Sequence, residues 1–192
     1  MKAWEKDLKD RLLSGYAEPP ADTPSAAVAL ILREWQDEFQ VLLIERIERE
    51  GDPWSGQIAL PGGMKDSGDR SISDTAKREV MEEVSLDLDK ACVALGIMSE
   101  VRPANKPRLV VFPLVYSLQK DVPLKEGREV REVFWASLSS IKESRTTGTV
   151  EVQGRELLVP TFLHGDRLIW GLTYRILSAF FELCPGLTGR PG

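Results

Sequence analysis

The chain has 192 residues, of which 42% are hydrophobic and 29% charged, and its net charge at pH 7 is −5. That length and composition are typical of one well-packed globular domain and leave little room for a second domain of ordinary size. The negative charge argues against a protein that binds nucleic-acid backbones, because neutralising phosphates needs a basic surface.

The N-terminal part of the chain predicts a helix, a hairpin, a short strand and a second helix. In chain order these are an amphipathic helix over 3–14, two strands over 26–32 and 40–45 around a polar turn, a short strand over 57–60 and a helix over 73–84. Ser73, followed by Asp74, is a suitable N-cap for the second helix. The first helix carries Trp4 and Leu8 on its apolar side. It covers either the domain's own core or a partner subunit, so a homodimer is left open.

The C-terminal part predicts further strands and one long helix. In chain order the elements are strands over 91–101, 109–118 and 130–135, a helical turn over 138–142, a hairpin of 149–152 with 156–159, and a helix over 170–183. A basic loop over 102–108 joins the first two strands. Strands mixed with a few helices, and no linker between them, predict an α/β fold in one domain over residues 1–192.

The most informative segment runs from a Pro-Gly-Gly turn into the carboxylate-rich helix. At 100° per residue, Glu79, Glu82 and Glu83 fall within an arc of roughly 100° on that helix. Ile72, Ala76, Val80 and Val84 recur every four residues and form the buried face. Crowded carboxylates repel one another and resist desolvation, and a hard divalent cation with oxygen ligands removes both penalties. Mg²⁺ usually keeps waters and is shared with substrate phosphates, so the helix predicts phosphate chemistry. The alternative is a surface helix with salt bridges, which the glycine turn and the spacing disfavour.

These residues resemble the box of the Nudix hydrolases over residues 60–86. That pattern reads glycine, five residues, an acid, seven residues, Arg-Glu, an apolar residue, any residue, Glu-Glu, any residue, glycine and an apolar residue. Gly63 and Asp69 match its glycine and its acid, but eight residues separate Asp69 from Arg78, and Ser85 replaces the later glycine. The resemblance implies a Nudix fold, which is an α/β/α sandwich around a mixed sheet, and an enzyme that cleaves nucleoside diphosphate derivatives.

The resemblance also implies roles for the box residues. Glu79 corresponds to a metal ligand that orients or deprotonates the attacking water, and Glu82 and Glu83 correspond to the paired ligands of Mg²⁺ or Mn²⁺. Arg78 corresponds to the arginine that holds a ligand carboxylate in place. The carbonyl of Gly63 is a further metal ligand candidate.

The group that activates the water is left open. In many Nudix enzymes the base comes from a later loop, where Glu129 is the candidate here and Glu126 a weaker one. Asp69 is placed as a group that assists at longer range.

A second resemblance concerns the substrate. The segment 56–63 and the strand 42–46 are similar to the region before the box in coenzyme A pyrophosphatase-type Nudix proteins, as is the ending 169–173. Ile47 and Asp52 depart from that pattern. The resemblance implies coenzyme A or an acyl derivative as substrate, with ADP-ribose or another nucleotide diphosphate as the alternative.

Four arginines are candidates for binding the substrate. Arg46 and Arg49 flank the turn before the box and are predicted to meet phosphates. Arg102 and Arg108 belong to the basic loop 102–108, which either meets a phosphate such as the 3′-phosphate of coenzyme A or is an ordinary solvated loop.

The remaining expectations concern location and the class of protein. The first residues have no apolar signal core and no stretch approaches the ~20 apolar residues that span a bilayer, so the sequence predicts a cytoplasmic protein without a membrane partner. Two classes stay open: a metal-dependent diphosphate hydrolase, and a Nudix module that binds a ligand without cleaving it.

Overall fold

The computed structural model describes residues 1–15, 18–20, 22–48, 56–152 and 154–188. The helices are α1 (Ala3–Arg11), α2 (Ile72–Val84), α3 (Leu88–Ala91), α4 (Leu138–Glu143) and α5 (Gly171–Leu183). The strands are β1 (Ser25–Trp35), β2 (Glu38–Arg46), β3 (Ile58–Ala59), β4 (Gly62–Met64), β5 (Cys92–Ile97), β6 (Val110–Leu118), β7 (Val130–Ser137), β8 (Thr146–Val152), β9 (Arg155–His164) and β10 (Arg167–Ile169). Within the described ranges, no helix is both long and apolar enough to cross a bilayer.

Strand β1 is the centre of the larger sheet. The strand order is β3-β2-β1-β6-β5, while β4 also pairs with β1 and β7 with β2. The β1–β6 pair is parallel, whereas β1 pairs antiparallel with both β2 and β4. The sheet is therefore mixed, as predicted. A smaller antiparallel sheet has the order β10-β9-β8.

Helices cover both faces of the larger sheet. The predicted buried face of α2, formed by Ile72, Ala76, Val80 and Val84, packs with one set of sheet residues that includes Ala27. Residues of α1, α4 and α5 share the other core with side chains such as Leu30 and Leu43. Neighbouring residues of β1 thus point into opposite cores, and the α/β/α sandwich is confirmed.

Helix α1 covers the domain's own core. Leu8 is 1% exposed and belongs to the same core cluster as α5. The helix ends at Arg11 and not at residue 14, because Leu13 leaves it to form a bridge with Ile97. Buried Glu5 anchors the helix by accepting a hydrogen bond of 2.6 Å from the hydroxyl of Ser117.

The N-cap of helix α2 lies two residues earlier than predicted. The cap is Ser71, whose hydroxyl accepts a hydrogen bond from Asp74 N at 3.1 Å, and the prediction of Ser73 is wrong. Glu18 adds a second cap, since its Oε1 accepts from Ile72 N at 3.1 Å. The C-cap of the helix is Ser85, which has φ of 57°, a left-handed conformation that normally favours glycine.

Candidate active site

The Pro-Gly-Gly turn brings backbone directly against the acidic helix. Gly62 has φ of 151°, and a Cβ at this position would collide with the carbonyl of Ala27 on β1. A Cβ at Gly63 would collide with the carboxylate of Glu79. Two successive glycines are therefore needed to let β4 pass between β1 and α2.

Glu83 is the most buried carboxyl of the site. Its side chain reaches Gly62 N, which donates a 2.8 Å hydrogen bond to Oε2, and the residue is 5% exposed. Burial raises the pKa of Glu83 to about 8, and the charge of Glu79 adds to this effect. Burial also raises the pKa of Glu79. A divalent cation nearby would favour the ionised form of both carboxyls.

Arg78 fixes the position of Glu79 from the outside of the cluster. Its Nη1 lies 2.8 Å from Glu79 Oε1, its Nη2 donates to the Met64 carbonyl at 2.9 Å, and two further bonds of 3.1 and 3.0 Å reach Asp69. The hydrogen bonds from Arg78 lower the pKa of Asp69 to about 2. Asp69 therefore holds Arg78 in place, and the assisting role at longer range stays a prediction.

A cavity of about 370 Å³ opens beside these carboxylates. Its charged lining consists of Glu79, Glu83, Arg46 and Glu129. Arg46 lies between two of the acids, with Nη1 3.6 Å from Glu83 and Nη2 3.7 Å from Glu129. The rest of the lining is largely apolar, and its apolar side chains are Ala26, Val28, Ala59, Leu60, Met64, Leu109, Leu172 and Ile176. The cavity thus joins an acidic corner to an apolar wall.

Glu129 reaches the acidic corner because its loop is fastened to the end of α2. Gly127 N donates to the Glu83 carbonyl at 2.9 Å, and Lys125 N donates to the Val84 carbonyl at 3.2 Å. A second hollow of about 620 Å³ lies along this contact, and its lining includes Glu126 and Glu129. Glu126 lines this second hollow and is absent from the lining of the first.

The Glu82 side chain is 60% exposed, pairs with Arg78 at 3.5 Å and lines the second hollow together with Glu79, Glu83 and Glu129. The arginines predicted to bind the substrate lie farther from the acidic corner or outside the described residues, apart from Arg46. Arg102 pairs with Glu100 at 3.5 Å. Arg108 lines a separate hollow that shares Met64 and Leu109 with the main cavity. Arg49 lies outside the described residues.

Sequence reasoning missed the contribution of α5 to the site. Leu172, Thr173 and Ile176 line the cavity from the N-terminal end of this helix. The segment 169–173 takes part only in a resemblance, and its residue types give no chemical signal of their own. A threonine near a helix start is ordinary in sequence, and only the fold shows that it lines the same cavity as the carboxylates.

The residues of the acidic corner fit a divalent metal ion. The donor set is all oxygen, and the missing Cβ of Gly63 lets the Glu79 carboxylate lie directly against the turn. Among the described residues, no three carboxylate, histidine or cysteine side chains lie close enough to hold an ion by themselves. Mg²⁺ is usually bound by one or two carboxylates, with waters and substrate phosphates completing its octahedron. Two carboxylates at the edge of a cavity satisfy that requirement.

The fold and this site together are those of one protein family. A model of the NUDIX domain matches residues 23–153, and the chain belongs to the NUDIX family. The crystal structure of a MutT/nudix family protein from Enterococcus faecalis matches with a TM-score of 0.54 and 24% identity, over 96% of this chain and 75% of that chain. This second likeness supports the fold.

Three named relatives are similar to this chain over most of its length. The mitochondrial coenzyme A diphosphatase NUDT8 of Mus musculus is 36% identical over 140 residues, which is 68% of this chain and 64% of that protein. The protein of the same name in Homo sapiens is 31% identical, over 94% of this chain and 78% of that protein. Nudix hydrolase 15, mitochondrial, of Arabidopsis thaliana is 32% identical, over 83% of this chain and 62% of that protein. The matches thus span slightly less than two thirds of the mouse and Arabidopsis proteins.

Proposed function

We propose that this chain is a divalent-metal-dependent diphosphatase that hydrolyses coenzyme A or an acyl derivative to 3′,5′-ADP and 4′-phosphopantetheine. The observation that carries the proposal is a cavity lined together by Glu79, Glu83, Arg46 and Glu129. The relatives named coenzyme A diphosphatase support the substrate. In this reaction a water oxygen bonds to one phosphorus while the bridging P–O bond breaks, and the leaving phosphate carries away the electron pair.

The residues of the cavity have separate roles in this reaction. Bound Mg²⁺ or Mn²⁺ supplies charge neutralisation and lowers the pKa of a coordinated water. Glu79 and Glu83, with Glu82 and the carbonyl of Gly63 as further donors, would hold the metal. Arg78 keeps Glu79 in one orientation.

Two other residues act on the substrate and the water. Arg46 presents a guanidinium in the cavity between Glu83 and Glu129, where it can pair with a non-bridging phosphate oxygen. Glu129 is half-exposed at the mouth of the cavity and can accept the proton of the water, a role for which Glu79 is the competing candidate.

The apolar wall supports a substrate with an uncharged part beside its diphosphate. Val28, Leu109 and Leu172 lie in the same cavity as the carboxylates. A pantetheine arm or an adenine can cover this surface, whereas inorganic pyrophosphate cannot. Burying apolar surface contributes about 25 cal/mol per Å² to binding before the ordering costs are subtracted.

The test is Mg²⁺- and Mn²⁺-dependent hydrolysis of coenzyme A, an acyl-coenzyme A, ADP-ribose, NADH, diadenosine polyphosphates and dNTPs, with products separated by chromatography. We expect 3′,5′-ADP and 4′-phosphopantetheine from coenzyme A, and loss of turnover with EDTA and in Glu83→Gln. Preferred turnover of ADP-ribose would reject coenzyme A and keep the diphosphatase. Tight binding of these compounds without any product would indicate a ligand-binding module.

A matched pair of variants identifies the base. Glu129→Gln should lower kcat by about a hundredfold, while Glu126→Gln, three residues away on the same loop, should leave kcat within about twofold. An unchanged kcat in Glu129→Gln would leave Glu79 as the group that activates the water.

A further inference from the structure

Helix α5 presents an uncapped N-terminus to the cavity. The helix has 13 residues, and its N-cap, Trp170, makes no side-chain cap hydrogen bond. In the part of the chain that the structure describes, the backbone N–H groups of Gly171, Leu172 and Thr173 donate to no acceptor, and the first bond of the helix is Tyr174 N to the Trp170 carbonyl at 3.4 Å. Free N–H groups of a first turn carry partial positive charge and bind anions.

The entrance to this helix is open. A Cβ placed on Gly171 would meet no atom within 4 Å, and φ of 62° at this residue turns the chain sharply into the helix. Leu172 and Thr173 follow directly and both line the cavity that holds Glu79 and Glu83. A ligand in the cavity therefore has access to the first turn of α5.

Thr173 gives an independent sign of a ligand. The residue is only 8% exposed, and within the described ranges its hydroxyl has no hydrogen-bond partner. The Thr173 oxygen is not among the fully buried side-chain atoms that lack a partner, so it is open to the cavity that Thr173 lines. The hydroxyl of this largely buried residue is therefore available to a polar group in the cavity, where the described part of the protein provides no partner.

Groups of opposite charge line the same cavity. Glu79, Glu83 and Glu129 supply the acidic side, and Leu172 and Thr173 belong to the positive end of the α5 dipole. A bare anion would be repelled by the acids, whereas a diphosphate that shares a cation with them brings its remaining oxygens towards the helix. The arrangement favours a phosphoryl group over a carboxylate or a neutral amide, because a phosphoryl group has enough oxygens to meet both sides.

We propose that the first turn of α5 and the hydroxyl of Thr173 form a phosphate subsite, which binds a non-bridging oxygen of the substrate's diphosphate. The subsite rests on the proposed function for its ligand, a nucleoside diphosphate derivative, and it assigns binding of that diphosphate to a helix outside the box. Thr173 donates its O–H to the phosphate oxygen, and the backbone N–H groups of Leu172 and Thr173 donate beside it.

The experiment is an NMR titration of the full chain with methylenediphosphonate and Mg²⁺, a probe that the enzyme cannot hydrolyse. We expect the backbone amide signals of Gly171, Leu172 and Thr173 to shift and to saturate together. Thr173→Val, which keeps the shape and removes the hydroxyl, should weaken the Kd by about tenfold, because the lost hydrogen bond is to a charged group. Thr173→Ser, which keeps the hydroxyl, should bind within about threefold of the wild type.

Two results would overturn the subsite. One is that the α5 amide signals stay unmoved, whether the probe binds only near the box or does not bind. The other is an equal Kd for Thr173→Val and the wild type. Thermal unfolding shows whether both variants are folded, and the amide titration of the wild type tests the subsite by itself if Thr173→Val does not fold. The titration measures binding without turnover. If coenzyme A is not hydrolysed, the titration therefore still tests whether the first turn of α5 binds a diphosphate.

Discussion

Replacing Asp69 by asparagine should destabilise the fold by an amount that depends on pH. Hydrogen bonds from Arg78 lower the pKa of Asp69 from 3.8 to about 2, which corresponds to about 2.5 kcal/mol of unfolding free energy at neutral pH. Solvent reaches the Arg78 side of the pair and screens the interaction, so we expect Asp69→Asn to lower the unfolding free energy by about 1–2 kcal/mol. A carboxyl with a depressed pKa stabilises the fold above pH 4, and the effect fades as the pH falls towards 2. At pH 3 about half of it should remain.

Urea unfolding of the wild type and Asp69→Asn at a series of pH values between 7 and 3 measures this difference. Asp10→Asn, a change to an exposed carboxyl on α1, is the control and should differ from the wild type by less than about 0.5 kcal/mol. Arg78→Gln should remove the same interaction, so the double variant should be less destabilised than the sum of the two single variants. A difference that stays constant with pH, or single effects that add fully, would refute the assignment of Asp69 as the partner that holds Arg78.

Three further substitutions test the local geometry. Gly63→Ala should lower kcat by about a hundredfold, because the new Cβ displaces the Glu79 carboxylate. Circular dichroism should show the native fold for this variant. A kcat within about twofold of the wild type would contradict the close approach of Gly63 to Glu79. Ser85→Gly should raise the unfolding free energy by about 0.5–1 kcal/mol, since glycine tolerates φ of 57°, and a lower value would argue against the left-handed conformation. Ser71→Ala should cost about 1 kcal/mol of unfolding free energy and Ser73→Ala less than about 0.5, and the reverse order would restore Ser73 as the cap.

Periodicity predicted the parts of this fold that bury a regular face. The four-residue repeat of α2 placed Ile72 and Val80 in the core, and both are fully buried. The hairpin of β1 and β2 also follows from their apolar side chains and the polar turn between them, whereas the mixed sheet was implied by the resemblance to the Nudix fold. Strand β4 was not predicted, because two of its three residues are glycine and glycine has low strand propensity.

Contacts between distant segments could not be read from the sequence. Arg46 and Glu129 are 83 positions apart in the chain, and their approach depends on the antiparallel pairing of β2 with β7, which continues to Arg46 and Val130. The cap of α2 was misplaced because Ser71 and Ser73 are the same residue type, and only the backbone angles at Ser71 distinguish them. The open end of α5 is likewise a product of packing, which brings residues near position 172 to the box.

The bonds between the loop after β6 and the end of α2 bear on how enzymes of this shape can diverge. Lys125 and Gly127 are each held by a carbonyl at the last turn of α2, and a Cβ at Gly127 would collide with the carbonyl of Glu82. Gln119 N and Lys120 N are likewise held, by the Ala91 carbonyl at 2.8 and 3.3 Å. Insertions and deletions should therefore accumulate over 121–124, between the two fastened stretches, and be rare over 125–129. A lineage could lengthen the stretch 121–124 to reshape its surface while Glu129 stays in register with the acidic helix. Measured tolerance to single-residue insertions along 121–129 should change abruptly at Lys125.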